Sequence, residues 1–474
     1  MSLSNLILNN KYQLDHKVGS GSYGVVYSAR HLYTGKVFGI KVILKKDKLL
    51  SPSTHTDASC SKKVVLELEW KLGQVGLNSN GQLKANLLDL DLISSYGYKC
   101  KILKEISLQL KVHKHPNILS IYKVFDSEWA LFVVMDYYPE GDLFSTIVDK
   151  KRYSQDPRLL KSVFVQLVDA ITYCHSKNVY HCDLKPENIL VAENGTKLIL
   201  ADFGLAVMDG EIESNVCCGS SYYMAPERIQ NLGDCYDDVN NHELHLERLA
   251  NDAFKLQHSR HNVKFPTLAG DVWSLCIILI NLISIRNPWS KASIMDVTFK
   301  AFMEDNSVLM RILPLSEEVY RLLKKYLRLN PYDRHSIFEL RQDVIRVPKL
   351  SQSGPLSEEC NVDDDELFLC QVPIDHVKFN RETSEDEGLG EPEPSRMQAK
   401  DHRMQVKELI NDYKLEFPDD IMDGGLKDAS DFQEDALVPV SSSSTPGTSV
   451  SDYEPTKSYV EFLSQQIYPP VPWK

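Results

Sequence analysis

Apolar residues in the first 350 positions of this 474-residue chain come in short blocks whose spacing alternates between strand-like and helix-like. Val25-Val26-Tyr27 and, after a polar break, Val37-Phe38-Gly39-Ile40-Lys41-Val42 read as two strands, the second with one lysine among apolar neighbours. Ile102 to Leu110 carries apolar residues at helical spacing and precedes His115-Pro116-Asn117-Ile118. Leu131-Phe132-Val133-Val134-Met135 is an apolar strand running into the polar turn Pro139-Glu140-Gly141-Asp142. Gly270-Asp271-Val272-Trp273 opens a strongly apolar helix that continues through Ile285. Beyond about residue 350 the pattern gives way to Ser, Pro and acidic residues, so no packed core is expected there.

The chemistry lies in the polar breaks. Val18-Gly19-Ser20-Gly21-Ser22-Tyr23-Gly24-Val25-Val26 places glycines at the tip of a hairpin, where backbone can approach phosphate closely. A dinucleotide-binding reading of these glycines requires a helix after the last one, but the chain continues as strand. Further on, His181-Cys182-Asp183-Leu184-Lys185-Pro186-Glu187-Asn188 combines a carboxylate, a cation and an amide within a few residues. Ala201-Asp202-Phe203-Gly204 adds a second carboxylate on a tight turn. Phosphoryl transfer needs this set: one group to orient the attacking hydroxyl, cations to spread developing charge, and oxygen ligands for magnesium on the phosphates.

These motifs closely resemble those of eukaryotic protein kinases of the serine/threonine class. The resemblance covers about two-thirds of the chain, from Gly19 to Arg334. It implies an α+β, two-lobed protein kinase fold, with a small β-rich N-lobe, a larger helical C-lobe, two insertions and a disordered acidic tail. The expected division is a lead at 1–11, a kinase domain at 12–348 and a tail at 349–474, with inserts at about 46–98 and 229–267. By resemblance Asp183 and Lys185 are catalytic, and Asn188 and Asp202 hold Mg2+. ATP would lie against Val18 to Val26, Lys41 and its partner Glu105, with Met135 as gatekeeper. The backbones of Asp136 and Tyr138 would pair with adenine, and Asp142 would meet the ribose. Gly39, where the family more often has Ala, would leave room near the adenine ring. Arg334 would pair with Glu227 of Met224-Ala225-Pro226-Glu227. His-Cys-Asp, the run Cys218 to Glu227 and the helix ahead of His-Pro-Asn are similar to fungal kinases of the Ran/Pat type, which act in nutrient signalling.

Charge narrows the partners. Of the net −13, residues 351–474 carry about 27 acidic against 10 basic side chains, leaving about +4 for residues 1–350. A near-neutral body with an acidic tail argues against a nucleic-acid footprint. Ten cysteines without a Cys-x-x-Cys spacing offer neither a zinc ribbon nor a disulfide framework. The N-terminal residues lack a signal-peptide pattern, and the apolar stretch Leu275–Ile285 is too short to cross a bilayer. A cytoplasmic or nuclear protein without a membrane segment is therefore expected, acting on protein substrates. In the first insert, Val64 to Trp70 is an apolar patch suited to the small lobe or a regulatory partner, against the plainer reading of a loop. The histidines of the second insert (His242, His245, His258, His261) are too irregular to favour a metal site.

Two departures concern regulation. Kinases with Arg before the catalytic Asp use it to receive an activation-segment phosphate, but here that position is Cys182. The usual phosphate-bearing position is Val216, although Ser214 is a nearby hydroxyl. Activity that does not require this phosphate is expected. Ser220 and Lys185 point to serine/threonine acceptors by resemblance, and Leu205 favours serine. Glu187 and Asp142 are candidates for attracting a basic residue upstream of the acceptor. The rival reading, a nucleotide-binding pseudokinase scaffold, would predict loss of Lys41, Asp183 or Asp202, and all three remain. Small-molecule kinases of similar fold generally lack the Ala-Pro-Glu platform.

Overall fold

A computed structural model describes residues 3–20, 24–45, 82–154, 156–213, 219–229, 264–293, 295–352 and 404–411. The chain opens with β1 (Ile7–Leu8), β2 (Tyr12–Ser20), β3 (Gly24–His31), β4 (Val37–Leu44), β5 (Gln82–Leu83) and β6 (Asn86–Leu87). Then come α1 (Leu90–Tyr96), a short 3-10 turn at Gly97–Lys99, α2 (Lys104–Val112), β7 (Ile121–Asp126) and β8 (Ala130–Asp136). The eight strands form one sheet in the order β5-β1-β2-β3-β4-β8-β7-β6, antiparallel except between β1 and β5. Alternation along β4 sends Ile40, Val42 and Leu44 into one core with Tyr12, Tyr27 and Phe132. Ile43 joins a second core under α2, and Lys41, two residues before it, shares that face.

The larger lobe comprises α3 (Leu143–Val148), α4 (Pro157–Ser176), the hairpin β9 (Ile189–Ala192) and β10 (Lys197–Leu200), β11 (Glu211–Glu213), α5 (Pro226–Ile229) and β12 (Lys264–Pro266). It continues with α6 (Thr267–Ser284), α7 (Val297–Glu304), α8 (Val308–Ile312), α9 (Glu317–Tyr326) and α10 (Ile337–Arg346), while residues 404–411 form a last helix, α11, that packs on the smaller lobe. α4 starts where a helix should, with Asp156 accepting from the Leu159 N–H and Pro157 in the first turn. α6 is long and apolar enough to cross a membrane by composition, yet nearly every residue is buried inside the lobe. A helix apolar all round is what a lobe's central strut requires. Trp273 on α6 packs against Trp289 and Phe299, building the aromatic centre of the lobe.

The two-lobed architecture is the one expected, and described elements occur in the expected lead, first insert and tail. The lead at 1–11 is part of the fold: Leu3, Leu6 and Leu8 are buried, and β1 pairs with β2. The first insert is not all loop, because β5 extends the sheet beside β1, β6 pairs with β7, and α1 packs into the α2 core. Strands of two residues have too little length for a readable period. The patch Val64 to Trp70 and the histidines of the second insert lie outside the described residues. The acidic stretch from 349 onward contributes Leu350, which is buried, and the helix α11.

Candidate active site

Lys41 extends from β4 between Val26 of β3 and Val133 of β8 and meets Glu105 at 2.5 Å. Glu105 sits in the first turn of α2, so the ion pair ties the sheet to that helix. Gly24 is required by crowding, since an added Cβ would run into the Val42 carbonyl oxygen of β4. At Gly39 the expected free space is already taken. A Cβ there would come within 3.2 Å of the Asp136 carbonyl oxygen and 3.4 Å of Met135 Cγ, so the glycine accommodates the gatekeeper position itself. Of the glycine loop, Gly21, Ser22 and Tyr23 lie outside the described residues. Gly19 and Ser20 end β2 opposite Val26 and Val25, and Val18 is exposed before them.

Strand alternation corrects one expected nucleotide contact. Val25 is buried in the core on the far side of the sheet, whereas Val26 packs on a small cluster of Leu119, Met135, Ile199 and Ala201. Tyr138 and Leu190 border the same cluster, which thus joins the β8 end to β9, β10 and the residue before Asp202. Sequence alone does not single out Leu190, Ile199 or Ala201. Their signal is positional: Leu190 follows Asn188 by two residues, and Ala201 precedes Asp202. The Asp142 carboxylate caps α3 by accepting from the Ser145 N–H at 2.8 Å, and Tyr122 Oη donates to Asp136 Oδ1 at 2.7 Å.

The loop from His181 to Asn188 is held from three sides. Asp271 of α6 accepts the backbone N–H groups of His181 and Cys182, each at 2.9 Å, and a bond with His175 Nε2. Burial alone would raise the Asp271 carboxyl, but the bond and charge of His175, with His181 and the Cys182 N–H, hold it below its ordinary value. His181 is fully buried, with Nε2 at 3.0 Å from the Ala201 carbonyl oxygen and Nδ1 accepting from the Asp183 N–H. Those partners orient the ring, with Nε2 toward the Ala201 carbonyl and Nδ1 toward the Asp183 N–H. Phe203 is buried with its ring 5.0 Å from that imidazole. From below, Arg228 Nη1 donates to the Cys182 carbonyl oxygen at 2.8 Å. Cys182 and Asp202 both adopt positive φ (63° and 59°), backbone states that non-glycine residues keep only when their surroundings impose them.

The Asp183 carboxylate has a countable set of partners. Oδ2 receives Lys185 Nζ at 2.7 Å and Asn188 Nδ2 at 3.1 Å, while Oδ1 receives the Ser220 N–H at 2.9 Å. Each oxygen has two acceptor sites, so Oδ1 retains one for an incoming hydroxyl. Ser220 therefore contacts the loop through its backbone, beside Gly219, which has φ 115° and where an added Cβ would stand 3.1 Å from Asp183 Oδ1. Asp202 Oδ1 accepts from the Gly204 N–H at 3.2 Å, and Glu105 Oε2 also lies near Gly204. Among the described residues no cluster of three His, Cys, Asp or Glu side chains could hold a metal. Magnesium does not need one, because it uses one or two carboxylate or amide oxygens and completes its shell with phosphate and water. The hard oxygens of Asn188 and Asp202 fit that requirement.

The segment after Asp202 is anchored at both described ends. Tyr180 and Val207 form a bridge, and β11 pairs with β12 at the exit of the second insert. Thr267 adds bonds to the Gly210 and Asp209 carbonyl oxygens. Val216, Ser214, Cys217 and Cys218 lie outside the described residues. Farther on, Arg334 grips Glu227 in two parallel bonds of 2.6 Å and covers Trp273 at 4.9 Å, as the sequence resemblance implied.

Comparison with known proteins identifies the family. A sequence profile described as "Protein kinase domain" matches residues 93–239. The serine/threonine-protein kinase VHS1 of Saccharomyces cerevisiae is 36% identical over 80% of this chain and 79% of its own length. The serine/threonine-protein kinase SKS1 of the same yeast is 37% identical over 75% of this chain and 68% of its own. A Schizosaccharomyces pombe protein named "Negative regulator of sexual conjugation and meiosis" is 33% identical over 73% of this chain and 62% of its own. With such relatives aligned across most of its length, the chain belongs to the serine/threonine protein kinases, signalling enzymes that generally use ATP and magnesium to phosphorylate proteins.

Proposed function

We propose that this kinase transfers phosphate directly from ATP to serine or threonine hydroxyls through the loop at Asp183, with its activation segment held without phosphorylation. The observation that carries the reading is the partner set of Asp183, which leaves one acceptor site on Oδ1. A substrate hydroxyl donates its proton there as its oxygen attacks the γ-phosphorus and the bond to the β-phosphate oxygen breaks. Lys185 neutralises the moving phosphoryl, and Lys41, steadied by Glu105, positions the remaining phosphates. Magnesium held by Asn188 and Asp202 would offset the phosphate charge. Val26, Met135, Tyr138, Leu190 and Ala201 would sandwich the adenine, whose edge pairs with backbone at Asp136 and Tyr138.

Contacts that anchor the segment before Val216 support the phosphate-independent reading. The β11–β12 pairing and the Thr267 bonds anchor the segment. Glu187 and Asp142 favour a basic residue upstream of the acceptor. Desolvation by the surrounding loop, joined by the charges of Asp142 and Asp183, raises the Glu187 carboxyl above its ordinary value, and a substrate cation would relieve that. A role in nutrient or growth signalling, inside the cell, follows the likeness to the Ran/Pat-type kinases, and regulatory partners would act through the inserts or the tail.

The test is ATP turnover onto a serine/threonine peptide library by phosphatase-treated protein, with Asp183→Asn as control. Transfer that survives phosphatase, vanishes in the control and enriches basic residues upstream is the expected result. Loss of activity after phosphatase would overturn phosphate independence, and transfer by the Asp183→Asn control would remove Asp183 from the mechanism.

A further inference from the structure

We infer that residues 404–411 of the acidic tail are a cis-acting positioning element, docked on an apolar site of the N-lobe where they hold α2, and with it Glu105, against Lys41. The inference rests on the kinase reading for its catalytic consequence only.

The docking is specific in its side chains. Val406, Leu409 and Ile410 share one face of α11, and the first two are buried in the cluster formed by Ile93, Cys100, Leu103, Ile106 and Leu110. Met404, Lys407 and Glu408 on the other face are exposed. The Cys100 thiol donates to the Leu409 carbonyl oxygen at 3.4 Å, satisfying a carbonyl in the last turn that has no partner within the helix. Burial pushes the Cys100 thiol up, so it remains a protonated donor. A helix of this length is not stable alone in water. Its order therefore comes from the surface that receives it.

That surface is also the support of the Lys41–Glu105 pair. α2 is short, its first residue is Lys104, and Leu103 before it supplies no side-chain cap. Glu105 thus lies in an uncapped first turn, flanked by Leu103 and Ile106, both of which are in the cluster with α11. Without Val406 and Leu409, the apolar residues on either side of Glu105 would lose their cover. The first turn of α2 would then fray, and the ion pair with it.

The experiment compares the full-length kinase with Leu409→Asp and with an exposed-face control, Lys407→Ala/Glu408→Ala. Two readouts are taken: amide hydrogen exchange across residues 88–112, and kcat and ATP KM with a serine peptide. Leu409→Asp should speed exchange in 93–110 and lower kcat at least tenfold, and a synthetic peptide of residues 398–416 added in trans should restore both. The control should match wild type. Unchanged exchange in Leu409→Asp would overturn the docking, and faster exchange with unchanged kcat would overturn its hold on Glu105. A wild-type protein without turnover would count against the kinase mechanism, while exchange would still decide the docking.

Discussion

Arg228 donates from Nη1 to the carbonyl oxygen of Cys182, placing a buried guanidinium directly beneath the residue that replaces the usual loop arginine. The cation thus reaches the loop from the segment after Glu227, not from within the loop. Cys182 has positive φ, and its N–H and carbonyl are both held, by Asp271 and Arg228 respectively. Two long-range bonds on one residue's backbone fix the direction in which the following residue, Asp183, leaves the chain.

Arg228→Met should therefore damage turnover more than binding. Losing a buried charge-assisted bond and stranding its acceptor costs about 1.5–3 kcal/mol. If that cost falls on the reactive geometry, kcat drops roughly 10- to 100-fold. ATP KM should stay within about twofold, since the bond from Arg228 goes to the Asp183 loop and not to the strands carrying Lys41 and Met135. Steady-state kinetics on purified variants would check this, and an effect confined to KM would contradict it.

Glu105→Gln should produce the opposite distribution of defects. The Lys41–Glu105 pair is only partly exposed, so replacing the carboxylate removes the charge that fixes Lys41 on its strand face. Activity should fall on the order of 100-fold, with weaker ATP affinity and an unchanged melting temperature. Nucleotide titration together with thermal melting separates this from global unfolding.

Much of this site was legible because its parts are contiguous. His181 to Asn188 and Ala201 to Gly204 each supply several polar groups from one turn of chain, so residue type and spacing alone identify their chemistry. Arg228 was not legible, because a lone Arg after Glu227 looks like any surface cation until burial and its partner at Cys182 are seen. Val25 and Val26 look equivalent in sequence, but period-2 alternation puts one in the core and the other toward the site. The tail helix was obscured by its setting. Val406, Leu409 and Ile410 make one amphipathic turn amid acidic, Ser- and Pro-rich chain, and only the receiving cluster gives them a reason to order.

The Glu227–Arg334 pair should dominate the stability of the larger lobe among its ion pairs. Both side chains are almost fully buried, and Arg334 also donates to the Ala269 and Arg328 carbonyl oxygens. Arg334→Met leaves a buried carboxylate without its partner, at a cost of about 3–5 kcal/mol. By contrast, Arg341→Met at the more exposed pair with Asp169 should cost clearly less. Chemical denaturation of the two variants would rank them, and equal losses would deny Glu227–Arg334 its special weight.

Acidification should engage one further buried group, His115. Burial holds His115 down at about 4, from an ordinary 6.5, and its Nδ1 accepts the Asn117 N–H, a bond available only to the neutral ring. Because the folded value lies below the unfolded one, the unfolded chain takes up the proton first as pH falls. The contribution is complete above pH 6.5 and is lost between about 6.5 and 4. A shift of that size corresponds to about 3 kcal/mol at most. His115→Gln, which keeps a side-chain acceptor but does not titrate, should flatten this part of the stability profile while lowering stability at neutral pH only modestly. Urea midpoints measured from pH 7.5 to 4.5 in both proteins would show it. Parallel profiles would mean that His115 titrates alike in the folded and unfolded chain.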